Sequence, residues 1–456
     1  MPKLFGTDGI RGIANHEPLV PGTVATIGEI LGRLCRRSGA ARVLIGRDTR
    51  RSGDLLQSAL AAGVCAAGAN PWLAGVLPTP SVAYLSRALE VDVGVVISGS
   101  HNPFPDNGIK LFGPDGFKIP DPLEEKIEQE LAQGANRTDS QRPTGADVGA
   151  VTFLADAADR YLRGLARLLP SGAWLRGIHL CVDAAHGAAY EVAPQAFESA
   201  GATVHAIGTM PDGCNINDGC GATHPERIRE ETMRTRSQLG VALDGDGDRV
   251  VIVDENGTVL DGDAILYVLA RFGRDLGLVR SPVIVGTVMS NWGLERSLNS
   301  LGMQLLRVPV GDRHVSAAMV REGSDLGGEP SGHVVLGRRA TTGDGLLVAL
   351  TVLEVARRTG LPVAELARGF ERVPQVLRNV AVRCRAPLDD LQQFQRCLRE
   401  AEAALNGRGR VLVRYSGTEP VVRVMVEAEA ADQAQYWAGC LAEVLAEEIG
   451  TRDSTG

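Results

Sequence analysis

What most constrains the fold of this chain is a repeated alternation of short apolar β-type runs with helix-spaced segments. Residues 41–46 and 91–98 read as buried strands, and the small and apolar residues of 52–68 between them recur at helical spacing. The alternation returns at 178–183, 203–207 and 241–243, then at 283–286 and 305–309. Strand–helix–strand repetition predicts parallel or mixed sheets covered by helices. At 456 residues the chain can build three or four cores. The polar, Gly- and Pro-containing stretch 134–149 lacks periodicity and reads as a linker. A turn at 254–257, followed by Asp261-Gly262-Asp263 opening a helix, puts a second boundary near 256. A third falls at 370–374. Beyond it come about two strands, a helix, strands at 410–414 and 421–427, and a last helix. The expected division is 1–140, 150–256, 257–370 and 371–450: three related α/β domains with mixed sheets, then a smaller C-terminal α+β domain.

Composition narrows the class. Apolar content of 44% and charged content of 22% are those of a soluble globular enzyme, and a net charge of −8 argues against a general nucleic-acid binder. The eight cysteines form no CxxC pair, so reduced, packed thiols are expected rather than a metal or disulfide framework. The N-terminus shows no charged-then-apolar signal segment, and no apolar run approaches membrane-spanning length, so a cytoplasmic protein with no membrane partner is expected. Only four of the 47 basic residues are lysines, namely Lys3, Lys110, Lys118 and Lys126. Lys110 falls in the most chemically suggestive segment, and lysine, unlike arginine, can exchange a proton.

That segment is ISGSHNP at 97–103, with Lys110 ten residues beyond Ser100. Ser100 follows a buried strand and precedes Asn102-Pro103, so it sits on a turn at a strand's C-terminal end, where α/β proteins place ligands. Taken alone it reads first as a turn residue. A serine-hydrolase reading lacks the GxSxG elbow, and His101, as the adjacent residue, is expected to point away from Ser100. The second cluster is DGDGDR at 244–249. As an EF-hand it has Arg249 where glycine is required, and a strand follows it. As a haloacid-dehalogenase site it has Asp248 where threonine is required. Three carboxylates alternating with glycines fit a Mg²⁺ site best, because aspartates this close repel unless a cation neutralises them. A phosphorylated serine, a metal and a lysine together describe phosphoryl transfer. Two further segments are weaker. GGEPSGH at 327–333 offers Glu329, Ser331 and His333 for sugar hydroxyls. RYSGTEP at 414–420, with Arg423 beyond, suits a phosphate monoester and equally a polar β-turn.

In this order and spacing the segments resemble the α-D-phosphohexomutase superfamily, and most closely its bacterial branch acting on glucosamine phosphate. The resemblance runs through FGTDGIRG at 5–12, GRDTRRSG at 46–53, LPTP at 77–80, the serine loop, NIN…CGATH at 215–224, DGDGDRV at 244–250, VGDRHV at 310–315, GGEPSGHVV at 327–335 and RYSGTEPVVRVMVE at 414–427. It implies four domains around a central cleft, the last with a TATA-box-protein-like layout. Ser100 matches the phosphoryl-carrying serine, and Asp244, Asp246 and Asp248 match the ligands of one Mg²⁺, completed by the phosphoserine. Arg11, His101 and Lys110 match catalytic positions, with Lys110 a candidate general acid/base. Arg249, Glu329, Ser331 and His333 match the sugar-binding set, and Arg414, Ser416, Gly417, Thr418 and Arg423 match the loop holding the non-transferred phosphate. The implied reaction converts glucosamine 6-phosphate to glucosamine 1-phosphate through a glucosamine 1,6-bisphosphate that also activates the enzyme, feeding cell-wall precursor synthesis; the alternative is a phosphoglucomutase/phosphomannomutase of the same chemistry. A hexosamine phosphate substrate and an activating phosphoryl donor or kinase are implied, and a homodimer is allowed. Three positions depart from the pattern. Gly99 replaces a common alanine and is expected only to relax the loop, Pro330 withholds a substrate clue, and His186 stands where asparagine is usual.

Overall fold

The computed structural model describes residues 4–6, 8–34, 41–133, 142–416 and 420–451. Contacts divide the chain into two compact units, one of Met1–Thr287 with Leu306–Arg368, the other of Val288–Leu305 with Gly369–Gly456.

The first unit holds three mixed sheets. In the first, strand order is Ile10–Ile13, Asp106–Phe112, Val93–Ile97, Arg42–Arg47, Asn70–Val76, Thr152–Phe153. Val93–Ile97 runs parallel to Arg42–Arg47 and antiparallel to Asp106–Phe112. All five residues of Val93–Ile97 are buried, as a strand covered on both faces requires, and this explains its unbroken apolar run. Helices Pro21–Leu34 and Ser52–Ala66 supply Val24, Ile27, Leu31, Leu56, Leu60 and Val64 to the same core. The second sheet runs Val259–Leu260, Val250–Asp254, Leu239–Leu243, His179–Asp183, Thr203–Ile207. Its central strand Leu239–Leu243 and the neighbouring Val250–Asp254 form a fully buried antiparallel hairpin whose connection is the 244–249 loop. In the third, Val283–Thr287 pairs parallel with Leu326–Gly328, which pairs antiparallel with Val334–Leu336 across a turn at 329–333.

The second unit has a three-stranded antiparallel sheet, Gln375–Ala381, Val421–Ala428, Gly409–Tyr415, with helices Gln392–Leu405 and Ala431–Ile449 contributing Phe394, Ala401, Leu441 and Leu445 to its core. A single strand precedes the first of these helices where about two were expected. After Ala381 the chain turns through Pro387 and the short 3₁₀ turn Leu388–Asp390 instead of extending. Helix Trp292–Ser300 belongs to this unit too. Asn291 at its N-cap accepts from Gly293 N and Val373 N, and donates to Val373 O at 3.0 Å and Glu427 Oε1 at 3.1 Å.

The remaining strand expectations fall within about two residues of those observed, the ordinary uncertainty of element ends. Of the expected linker 134–149, residues 134–141 lie outside the described residues and Gly145–Asp147 forms a 3₁₀ turn. Among the described residues no helix is long and apolar enough to cross a membrane, and all seven described cysteines are unpaired.

Candidate active site

The strand Val93–Ile97 delivers Ser100 at its C-terminal end, where the chain turns sharply with Ser100 at φ 52°. Ser100 is only 1% exposed, and its hydroxyl donates to Asp244 Oδ2 at 3.1 Å. Its Oγ also lies 3.4 Å from His101 Nδ1, so His101 does not point away as expected. The left-handed turn at Ser100 rotates successive side chains toward one another, which extended backbone would not do. Burial, followed by the Arg249 and Arg11 cations, lowers the His101 pKa to about 4, and the imidazole is neutral.

The hairpin between Leu239–Leu243 and Val250–Asp254 gathers Asp244, Asp246 and Asp248 into a buried group whose ligand atoms lie within 4.8 Å of one another. Its backbone is pinned from several segments. Ala188 N donates to Gly245 O at 2.8 Å, Thr79 N to Asp246 O at 2.8 Å, Gly345 N to Gly247 O at 3.0 Å, and Val250 N to Gly332 O at 3.0 Å. The alternating glycines follow from this crowding. A Cβ on Gly245 would stand 2.5 Å from Ser100 O, and Gly247 takes φ +71° against Pro78.

Lys110, 1% exposed, reaches Asp246 Oδ2 at 2.8 Å and the Oδ2 of Asp248 and of Asp8 at 3.2 Å each. Burial opposes its charge, but Asp246, Asp248 and Asp8 outweigh it and hold the pKa well above the ordinary lysine value. Asp248 follows the same logic with the opposite charge. Burial pushes it up, yet Lys110 and His333 hold it well below the usual carboxylate range. Asp244 is pushed well above that range by burial and by its two neighbouring carboxylates.

The donor set fits a hard divalent cation. Lys110 and Thr79 occupy Asp246 Oδ2, while Asp246 Oδ1 and Asp248 Oδ1 are buried with no hydrogen-bond partner. Two orphaned anionic oxygens beside a carboxyl already forced toward protonation are what a bound Mg²⁺ would relieve.

The other expected residues separate. Arg11 pairs with Asp8 and donates to Ser98 O at 3.4 Å, two residues before Ser100. Arg249 is half-buried, with Nε lacking a partner. Glu329 Oε1 accepts from Gly311 N at 2.7 Å, and Ser331 is exposed, 3.4 Å from Glu329 Oε2. His333 turns inward from the same turn, with Nδ1 3.6 Å from Asp248 Oδ2. Burial disfavours the imidazolium, but the neighbouring Asp248 carboxylate carries His333 up to about 9, while Gly343 N donates to Nε2 at 3.2 Å. In the second unit, Arg414 and Arg423 face each other directly across adjacent strands. Burial and the Arg423 charge lower the Arg414 pKa. Ser416 is buried, and its carbonyl accepts from Arg385 at 2.8 Å. Gly417 and Thr418 lie outside the described residues.

Several residues that the motif reading left without a role join the site. Asp8 links Arg11, Lys110 and Lys118. Thr79, of the 77–80 segment, holds Asp246 Oδ2 with its hydroxyl at 2.5 Å. Asp48 and Arg50, of the 46–53 segment, are completely buried beneath Ser100. Gly99 is corrected by the same observation. It does more than relax the loop, because a Cβ there would lie 2.8 Å from Arg50 Cζ. The signal in each case was a distinctive motif with no chemistry of its own.

Family comparisons agree with this geometry. Models for phosphoglucomutase/phosphomannomutase alpha/beta/alpha domains I, II and III match residues 2–138, 159–257 and 261–373, and the C-terminal domain matches 361–444. A phosphoglucosamine mutase of Anaeromyxobacter sp. is 47% identical over 98% of this chain and 96% of its own. One from Sorangium cellulosum is 45% identical over 98% and 93%. A crystal structure of a phosphoglucomutase/phosphomannomutase family protein from Burkholderia thailandensis superposes with TM-score 0.80 at 25% identity, covering 98% of this chain and 99% of that one. With four domain models in order along the chain and 45–47% identity over nearly its whole length to phosphoglucosamine mutases, this chain belongs to the phosphoglucomutase/phosphomannomutase family, in its phosphoglucosamine mutase branch.

Proposed function

We propose that the chain interconverts glucosamine 6-phosphate and glucosamine 1-phosphate by phosphoryl transfer through Ser100. The observation carrying this reading is the Ser100 hydroxyl bonded at 3.1 Å to a buried aspartate triad, beside a lysine held protonated. Phosphoserine donates to the substrate, a glucosamine 1,6-bisphosphate forms and reorients, and its other phosphate returns to Ser100. Asp244, Asp246 and Asp248, with the Ser100 oxygen, would hold one Mg²⁺, which when bound neutralises oxygens of the transferring group.

Lys110, surrounded by three carboxylates, is held as a fixed cation beside the serine, and it can exchange a proton only once a bound cation draws those carboxylates away. Neutral His101 is within reach of the Ser100 proton. Arg11 adds positive charge beside the serine loop. Arg249, Glu329, Ser331 and His333 are assigned to the sugar, with His333 also bracing Asp248. The arginine pair Arg414–Arg423, with Ser416, Gly417 and Thr418, is assigned to the phosphate that does not transfer. The functional division follows 1–140 for the phosphoserine, 150–256 for the metal, 257–370 for the sugar and 371–450 for the phosphate. A phosphoryl donor, either the bisphosphate or a kinase, must first charge Ser100. The enzyme is taken to be cytoplasmic and able to form homodimers, supplying amino-sugar phosphate for cell-wall precursors.

The test is side-by-side turnover of glucosamine, glucose and mannose 6-phosphates with Mg²⁺ and a trace of the matching bisphosphate. The amino sugar is expected to give the highest kcat/KM. A preference for glucose or mannose would keep the mechanism and overturn the substrate.

A further inference from the structure

Ser100 is neither glycine nor asparagine, yet it holds φ 52°, a conformation an L-residue keeps only where its surroundings over-determine it. Those surroundings are specific. Ser100 N donates to Ser98 Oγ at 2.9 Å, and Ser98 Oγ donates to Asp48 Oδ2 at 2.6 Å. Asp48 is paired with the Arg50 guanidinium and accepts Arg50 N at 2.9 Å, with both residues fully buried. Arg50 Nη2 then donates to Ser100 O at 3.1 Å and to Asn102 O at 2.5 Å. From the other side Asn217 Nδ2 donates to the same two carbonyls, at 2.8 and 3.2 Å. Gly99 provides the room in which the guanidinium lies. A buried Arg–Asp pair is poor evidence for stability, since apolar residues of equal volume often do as well. One whose remaining donors are aimed at carbonyls flanking a reactive serine is better explained by the conformation it enforces.

We propose that Arg50 and Asn217 clamp the Ser100 and Asn102 carbonyls, with Asp48 and Ser98 in support, and so keep Ser100 Oγ aimed at Asp244 through both phosphoryl transfers. These are positioning residues, since none touches the reacting Oγ. The inference rests on Ser100 being the phosphoryl carrier. A loosened loop would also admit water to the phosphoserine. The water oxygen would bond to phosphorus, the bond to Oγ would break, the serine would regain its proton and inorganic phosphate would leave. The clamp therefore governs the ratio of transfer to hydrolysis.

The test compares Asn217→Gly and Ser98→Ala with the wild type. Asn217 itself sits at φ 59°, so glycine removes the amide without straining the backbone. This variant remains informative if loss of the fully buried Ser98 hydroxyl impairs folding. Expected are a kcat lowered about tenfold or more, a KM within about twofold of wild type, and several-fold more inorganic phosphate released per mutase turnover. A folded Asn217→Gly enzyme with kcat within about twofold of wild type and an unchanged phosphate ratio overturns the clamp, as does a lower kcat with that ratio unchanged. Ser100→Ala run alongside separates the two readings. Activity retained there overturns the assignment of Ser100, whereas loss there with a normal Asn217→Gly enzyme overturns only the clamp.

Discussion

A serine hydroxyl is a weak nucleophile, and what Ser100 can do depends on the atoms packed around it. Replacing it with alanine removes the carrier atom and one hydrogen bond to Asp244. Ser100→Ala should therefore lower mutase turnover by at least about a thousandfold while the circular dichroism spectrum and melting profile stay native. Turnover near wild type in the folded variant would refute the nucleophile. Asp246→Asn is expected to weaken Mg²⁺ binding by more than the about 10- to 100-fold typical of losing an outer-shell partner, read by calorimetry with the metal alone. Stability should fall little, because repulsion within the triad is relieved while an amide oxygen can still accept from Thr79 and Lys110. At this scale the sequence was informative wherever chemistry is carried by residue type. Ser100, Lys110 and the three aspartates were legible because hydroxyl, amine and alternating carboxylates announce themselves. Asp8 and Thr79 were not, since one Asp and one Thr in a turn are ordinary until their partners, Lys110 and Asp246, are known.

Elements act on the site mainly through their ends. Helix Thr79–Ala88 begins at the residue that grips Asp246. Helix Gly345–Thr359 begins beside Gly345, which donates to Gly247, and its N-cap Asp344 accepts from Leu347 N. Asp344 also accepts the Tyr161 hydroxyl at 2.9 Å, tying in helix Ala157–Leu168. Burial pushes Asp344 up to about 6 despite the hydrogen bonds from Leu347 and Tyr161. In the unfolded chain its pKa is about 3.9, so the folded state binds this proton more tightly. The resulting stabilisation is complete below pH ~4 and is lost as pH rises through 6, up to roughly 3 kcal/mol. Asp344→Asn cannot titrate, so its melting temperature relative to wild type should rise between pH 4 and pH 7. A constant difference across that range would remove the assigned ionisation. Helical spacing announced the elements, but nothing in a periodicity says which loop a helix end will hold.

For the molecule as a whole, the unexpected feature is the membership of the second compact unit. The segment Val288–Leu305 groups with Gly369–Gly456 although sequence assigns it to the third domain. Asn291 makes the connection, bonding to both Val373 backbone groups and to the buried Glu427 carboxylate. Asn291→Ala should cost about 1–3 kcal/mol by orphaning these groups, and limited proteolysis should then cut near 288–305 faster than in wild type. Unchanged cleavage would mean that apolar packing alone joins the segment to the unit. The sequence by itself determined the alternation of strands and helices, the mixed α/β class, the family and the chemically distinctive residues, but not every strand, Asn70–Val76 and Asp106–Phe112 among them. Those properties reside in short windows, through periodicity, turn chemistry and side-chain type. Only the tertiary structure decided that His101 faces Ser100, that His333 leans on Asp248, that Asp246 is left one oxygen for a cation, and that Arg50 lies under Gly99. Each depends on groups brought together from distant positions or on a backbone turn held by such groups. Ser100 and Asp244, for example, are 144 residues apart, and no local pattern encodes which atoms will meet across that distance.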